Sequence, residues 1–262
     1  MIPEWALSGA VAVAVIAVMV WQDTVKECND GRRYTSGKPQ PTPFHRRWCG
    51  WPKWLLIASS YAGLVFVSAT LGSWWQSLLF ITLPGVWFCA TRPTTVDAPA
   101  MALAWGSAML FPKYPYFAVL LSCLAGFVHE RGPVFAALYV WSPLPLIGLV
   151  ACGWWRTAAP HDGDPYVGLP SFRATVAAHR KMQDWLSWGG YVVSTRGLIP
   201  IAALVGVPLS AWAALAVAHA SRLVATDNSR IVLWGAPPMI AAMHDVPHWA
   251  VAAHVLTFVR MF

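Results

Sequence analysis

The stretch DAPAMALAWGSAMLFPKYPYFAVLLSCLAGFVHER, residues 97–131, contains two long apolar runs and only a few charged side chains. Asp97 begins the first run, Lys113 separates the two runs, and His129-Glu130-Arg131 closes the second. Further along, the run from Asp227 to Arg230 precedes another apolar stretch in the same way. Ionisable residues placed at the ends of apolar helices are typical of a polytopic membrane protein with a polar cluster at one face.

The composition of the whole chain leads to the same class of protein. Of its 262 residues, 57% are hydrophobic and 11% are charged, which leaves too little polar surface to cover a soluble globule of this size. Many of the 17 Trp and 7 Tyr lie near the ends of apolar runs, as in aromatic belts at a membrane interface. The formal charge of +7 falls in short loops, where contact with anionic lipid headgroups is the simpler explanation. We therefore expect membrane lipids as partners and no nucleic acid.

The apolar runs predict an all-α fold, a polytopic transmembrane helical bundle of about eight or nine membrane segments in a single integral membrane domain spanning 1–262. Several runs are shorter than the ~20 residues that cross a bilayer, so two neighbouring pairs are alternatively re-entrant or tilted. Prolines within the runs are expected to kink helices. The predicted segments lie near 5–21, 54–72, 74–91, 98–111, 115–129, 133–155, 198–220, 231–246 and 248–259.

Two stretches interrupt this apolar pattern. Residues 22–53 form a basic, proline-containing loop, and residues 156–196 include a predicted interfacial amphipathic helix at about 170–188. The alternative for that helix is a connection without chemistry. The first segment is predicted to be a retained helix, because no basic residue precedes it and no Ala-x-Ala site follows. Cys28 and Cys49 share the basic loop, and they would pair only in an oxidising compartment.

Counting membrane passes places the charged groups on one side of the membrane. Loop 22–53, Asp97, the run 129–131 and the run 227–230 all fall on the same side, even if the doubtful pairs only dip into the bilayer. Ionisable side chains at membrane helix ends are costly unless they are hydrated, paired or functional. This group is accordingly a candidate site, and interfacial solvation of each residue by itself is the alternative.

Three motifs in this region resemble the GT-C superfamily of membrane glycosyltransferases. The first is Thr94-Thr95-Val96-Asp97-Ala98-Pro99-Ala100-Met101-Ala102-Leu103-Ala104, and the second is Ala125-Gly126-Phe127-Val128-His129-Glu130-Arg131-Gly132-Pro133-Val134-Phe135-Ala136-Ala137. The third is Ala225-Thr226-Asp227-Asn228-Ser229-Arg230, followed by Trp234-Gly235-Ala236-Pro237-Pro238. The resemblance covers roughly residues 94–240, with His129 in place of the usual basic residue.

The resemblance implies transfer of a sugar from a polyprenyl-phosphate donor to an acceptor on the non-cytosolic face, in what we expect to be a bacterial or phage-encoded inner membrane protein. A carboxylate would orient or deprotonate the acceptor hydroxyl, and cations would hold the leaving phosphate. No cofactor is firmly implied, and a divalent metal is left open. The implied catalytic carboxylates are Asp23, Asp30, Asp97 and Glu130; the implied phosphate ligands are Arg131, Arg230, Arg32 and Arg33; His129 and Asp227 have supporting roles.

Two features depart from that family. The chain is shorter than most such transferases and lacks their soluble domain. Seven basic residues in loop 22–53 would place that loop in the cytosol by the positive-inside rule, whereas the family places it outside. The alternative function is therefore a non-enzymatic polytopic membrane protein, transporter-like or a subunit of a membrane complex. A metal site at His244, His248 and His254 is not predicted, because Pro247 is expected to break the helix that would align the first two.

Overall fold

The computed structural model describes residues 2–22, 25–26, 52–150, 198–220 and 228–259, and in these ranges the regular structure is helical without strands. The predicted all-α fold is confirmed. Most of loop 22–53 and the whole predicted helix 170–188 lie outside the described residues. The helices are α1 (Glu4–Gln22), α2 (Lys53–Thr70), α3 (Trp74–Ile81), α4 (Pro84–Thr91), α5 (Asp97–Leu110), α6 (Pro115–Val128), α7 (Arg131–Val140), a 3₁₀ helix (Leu144–Leu146), α8 (Leu198–Val205), α9 (Leu209–Ala220), α10 (Asn228–Ala241) and α11 (His248–Val259).

Proline and glycine residues divide several apolar runs that the sequence presents as continuous. The run 74–91 becomes α3 and α4, and Pro84 is the first residue of α4, where its missing N–H removes no helical hydrogen bond. The run 198–220 is divided at Gly206, whose φ of 70° suits glycine. Pro237 and Pro238 behave differently, because α10 continues through both.

Two helices have the length and apolar character needed to cross a membrane, namely α1 and α2, with 19 and 18 residues. A helix rises about 1.5 Å per residue, so the 14-residue helices α5 and α6 are each about 21 Å long, short of a hydrocarbon core of about 30 Å. Two such helices give only weak support for a membrane protein. The number of eight or nine membrane segments stays a prediction.

The chain separates into two compact units. In its described residues, the first contains α1, the end of α2 from Leu64, α3, α4 and α8–α11. Helix α10 contacts α3, α4, α8 and α9, and its Trp234 is fully buried. A Cβ atom on Gly235 would lie 2.7 Å from the Cα atom of Leu215, so α9 and α10 pack at a distance that only glycine permits. Two packing units can belong to one membrane domain, and the single domain over 1–262 stays a prediction.

A buried glutamine joins two helices of this first unit. Gln76 on α3 donates from Nε2 to the carbonyl oxygens of Ile240 and Met243, each at 2.9 Å, and to that of Ala241 at 3.4 Å. Its Oε1 atom accepts the backbone N–H of Ser73 at 3.0 Å, which completes a capping box at the start of α3. The last carbonyls of a helix have no partner within that helix. Gln76 supplies one for the end of α10.

The second unit, in its described residues, contains the first part of α2 up to Gly63 and the helices α5, α6 and α7. Helices α5 and α6 form an antiparallel pair joined by residues 111–114, and α7 packs against both. Ser107 on α5 donates to the carbonyl of Ala118 on α6 at 2.7 Å. Because the pair is antiparallel, the start of α5, the end of α6 and the start of α7 lie at one end of this unit.

Candidate functional site

Asp97 is the first residue of α5, and its side chain is only 3% exposed. Burial of a carboxylate is costly unless partners compensate its charge. One compensation is positional, because the positive end of the helix dipole favours an anion in the first turn. Other compensation comes from the turn that connects α6 to α7.

That turn brings three ionisable residues together in sequence. His129 follows α6 in an extended conformation and donates its backbone N–H to the carbonyl of Ala125 at 2.8 Å, and Glu130 and Arg131 then begin α7. The next residue, Gly132, has no room for a side chain, since a Cβ atom there would lie 2.6 Å from that of Ala125. The close approach holds the start of α7 against the end of α6.

The side chains of this turn converge on Asp97. The Nε2 atom of His129 and the NH1 atom of Arg131 lie at the same distance, 3.9 Å, from the same oxygen, Oδ1 of Asp97. A direct charge-assisted hydrogen bond would be about 2.7–2.9 Å long. Both distances are therefore about an ångström too long for direct bonding, so neither group is directly hydrogen-bonded to Oδ1.

The hydrogen bonding of His129 determines where its proton lies. The backbone N–H of Arg131 donates to Nδ1 of His129 at 3.1 Å, so Nδ1 is an acceptor and carries no proton. We assign the proton of the neutral imidazole to Nε2, the atom that faces Asp97. Oε2 of Glu130 lies 3.5 Å from the same Nδ1, and the side chain of Glu130 is 46% exposed. His129 thus contacts an acidic side chain on each of its two ring nitrogens.

Neighbouring apolar and hydroxyl side chains support this end of the unit. Leu56 and Val96 pack together with Val128. This contact joins α2 to the start of α5 and to the end of α6. Ser60 on α2 donates to the carbonyl of Thr95 at 3.4 Å. Thr94 is buried, and its Oγ1 atom has no hydrogen-bond partner among the described residues. The sequence motif contained Thr94, but nothing in its spacing indicated that its side chain is buried.

The structure thus brings together four of the predicted site residues, Asp97, His129, Glu130 and Arg131. They lie at one end of the α5–α6 pair, and the assignment of that end to one side of a membrane stays a prediction. Arg230 is the third residue of α10, in the first unit, and its side chain lies outside what the structure describes. The predicted residues Asp23, Asp30, Arg32, Arg33 and Asp227 all lie outside the described residues. The chemical roles assigned to all of these residues stay predictions.

Metal binding has little support in the part of the chain that the structure describes. No group of three or more His, Cys, Asp or Glu side chains suited to a metal occurs there. Helix α10 ends at Ala241 and α11 begins at His248, so His244 and His248 do not share a helix. His254 on α11 is buried, and its Nε2 atom lacks a hydrogen-bond partner among the described residues. The described donors do not fit a divalent metal, and no chemical step is assigned to one.

Comparisons with protein-family models, with curated proteins and with solved structures give no match. The resemblance to GT-C glycosyltransferases thus rests on the short motifs of residues 94–240.

Proposed function

We propose that this chain is an integral membrane glycosyltransferase that moves a sugar from a polyprenyl-phosphate donor to an extracytoplasmic acceptor in a bacterial inner membrane. The observation that carries the proposal is the loose contact of Arg131 and His129 with one oxygen of Asp97, at the shared end of α5, α6 and α7. The long apolar helices α1 and α2 support the membrane location, and the motif resemblance supports the reaction class.

Arg131 is the proposed ligand of the donor phosphate. Its side chain is 20% exposed, so it is reachable, and a guanidinium group binds phosphate oxygens through paired N–H donors. Arg131 also lies in the first turn of α7, where the helix dipole favours an anion. As the sugar leaves, negative charge develops on the phosphate, and a cation fixed at this position stabilises it.

The two carboxylates of the site have different surroundings and receive different proposed roles. Buried Asp97 attracts the guanidinium group of Arg131 while no donor phosphate is bound. Glu130 is almost half exposed, so its carboxylate is accessible to an acceptor hydroxyl. Asp23 and Asp30, in the basic loop, are the further candidates for the base that the resemblance implies.

The second candidate function is that of a non-enzymatic membrane protein. The near-complete burial of Asp97 favours it, because a buried carboxylate with a guanidinium and an imidazole nearby also describes a structural cluster that holds three helices together. The two functions differ in ligand binding. A structural cluster has no affinity for a lipid phosphate, and the removal of Arg131 would then affect only stability.

A transfer assay tests the proposal. Purified full-length protein in phosphatidylcholine vesicles is incubated with a labelled undecaprenyl-phosphate-linked sugar and a panel of acceptors, and release of undecaprenyl phosphate is measured. Because removal of one donor to the transition state lowers kcat by about 10²–10³-fold, we expect the turnover of R131M to fall by that factor. The matched control is K113M, which removes an exposed cation between α5 and α6, at the other end of the pair. Equal turnover in R131M and K113M, or none in the native chain with any donor, would refute the proposal.

A further inference from the structure

We infer that His129 is a protonation-dependent positioning residue, which when charged takes over the pairing with Asp97 and releases Arg131 to bind the donor phosphate. The inference rests on the proposed function, and it adds a regulation of the same site that the motif resemblance does not contain. It is based on two features of the geometry. Oδ1 of Asp97 lies equally far from His129 and Arg131. Nδ1 of His129 has two neighbours, the backbone N–H of Arg131 and Oε2 of Glu130.

The charge of buried Asp97 is the first element of this switch. A buried carboxylate needs a compensating positive charge, and Oδ1 has Arg131 and His129 equally close at 3.9 Å. While His129 is neutral, Arg131 is the charged member of this pair, so binding of a phosphate by Arg131 competes with its attraction to Asp97. When His129 carries a positive charge, Asp97 keeps a cation after Arg131 turns toward a ligand.

The Nδ1 atom of His129 is the second element of this switch. In the neutral form this atom accepts the N–H of Arg131 at 3.1 Å. Protonation at Nδ1 ends that acceptance, and the new N–H lies 3.5 Å from Oε2 of Glu130, which becomes its acceptor. The backbone N–H of Arg131 then loses its acceptor on His129. Protonation therefore makes the guanidinium group of Arg131 available to an anion.

The charges around His129 set the direction of the effect. Asp97 on α5 and Glu130 at the start of α7 favour the protonated form. Arg131 opposes it through its guanidinium charge and through its backbone N–H, which Nδ1 accepts only in the neutral form. Lys53 at the start of α2 and Arg92 before α5 are further charged groups among the described residues of this unit. Histidine is the side chain that normally changes charge between about pH 5 and 8, so phosphate binding should strengthen as the pH falls through that range.

The test measures binding of farnesyl phosphate, a short isoprenyl phosphate, to the detergent-solubilised full-length protein between pH 6 and 8 by isothermal titration calorimetry. Farnesol and inorganic phosphate are titrated in parallel, which separates a lipid phosphate from a free anion. Two substitutions remove one function of the imidazole each. H129N retains an acceptor near the position of Nδ1, and H129Q retains a donor near that of Nε2, while neither side chain titrates in this range.

The expected result is an affinity for farnesyl phosphate that rises toward low pH in the native chain, by at most about tenfold per pH unit for one linked proton. Phosphate esters titrate near pH 6 themselves, but the two variants share that contribution, so the difference between native chain and variant isolates His129. Titrations of the native chain with farnesyl sulfate, whose headgroup does not titrate in this range, in buffers of different ionisation enthalpy should also show net proton uptake, a readout that does not require either variant to fold.

The possible outcomes separate the two proposals. In one outcome, the native chain binds farnesyl phosphate with the same pH dependence as H129N and H129Q, or without proton uptake. Either result overturns the role of His129 and leaves the proposed function standing. An absence of farnesyl phosphate binding by folded native protein at every pH overturns the proposed function and the inference together. Binding of inorganic phosphate as strong as that of farnesyl phosphate retains the switch but identifies a free anion as the ligand, which contradicts the lipid-linked donor.

Discussion

Substitution of Gln76 by leucine should strongly destabilise the first unit. In Q76L the carbonyl oxygens of Ile240 and Met243 each lose a donor at 2.9 Å, and Ser73 loses the acceptor of its N–H. Each buried polar group left without a partner costs about 1–3 kcal/mol, and the side-chain cap of Ser73 on the N–H of residue 76 is kept. Because such losses are not fully additive, we expect a total of about 3–5 kcal/mol.

Thermal unfolding of the full-length protein in detergent provides the assay, followed by intrinsic tryptophan fluorescence at one fixed scan rate, since unfolding of membrane proteins is commonly irreversible. At about 2–4 °C per kcal/mol, Q76L should lower the apparent Tm by roughly 6–20 °C. Q22L is the matched control, because Gln22 is exposed at the end of α1.

A second substitution separates the two roles of Gln76. In Q76E the carboxylate still accepts from Ser73, but it replaces the NH₂ donor with an oxygen that faces the carbonyls of α10. The apparent Tm of Q76E should therefore be at least as low as that of Q76L at pH 8 and should recover in part at pH 5, where a protonated carboxyl group can donate again. If Q76L melts within about 2 °C of Q22L, a difference of less than about 1 kcal/mol, the assigned hydrogen bonds do not stabilise this unit.

Three further predictions concern packing and topology. G235A should lower the apparent Tm by several degrees and a larger residue by more, since a Cβ atom would lie 2.7 Å from Leu215; an unchanged Tm would show that α9 and α10 can separate at no cost. S122A removes a buried 2.7 Å hydrogen bond to the carbonyl of Pro145 and should cost about 1 kcal/mol, measured in the same melts; a stabilised variant would contradict this. Cys28 and Cys49 should react with a membrane-impermeant maleimide in intact cells after mild reduction, as the extracytoplasmic location requires; labelling only after permeabilisation would place the basic loop in the cytosol.

The elements of the fold that the sequence predicted best are those with local signals. The apolar runs 115–129 and 98–111 became α6 and α5 with boundaries shifted by only a residue, because Pro115 and Asp97 are both favourable in the first turn of a helix. The division of run 74–91 was not predicted, although Pro84 is a local start signal. Hydrophobicity alone does not distinguish one long helix from two short ones.

Contacts between residues far apart in the chain could not be predicted from the sequence, for a different reason. Gln76 and the end of α10 are more than 160 residues apart in the chain, and no local pattern marks which buried amide caps which helix. The sequence predicted that Asp97 and the turn at 129–131 fall on the same side, because two successive helices return the chain to the same end, but it did not predict which atoms meet. Oδ1 of Asp97 lies equally far from His129 and Arg131, and Nδ1 of His129 acts as an acceptor. Both features depend on the backbone geometry at the start of α7, which no sequence pattern predicts.

Photo-crosslinking with an isoprenyl phosphate that carries a diazirine in its first isoprene unit tests the central claim most directly. Membrane-embedded native protein is irradiated with this probe, digested and mapped by mass spectrometry. The account predicts that labelling concentrates on the peptides that contain Asp97 and Arg131, that excess farnesyl phosphate suppresses it, and that R131M loses it while K113M does not. Labelling spread evenly over the apolar helices, unchanged by farnesyl phosphate or by R131M, would contradict a lipid-phosphate site at the start of α5 and α7.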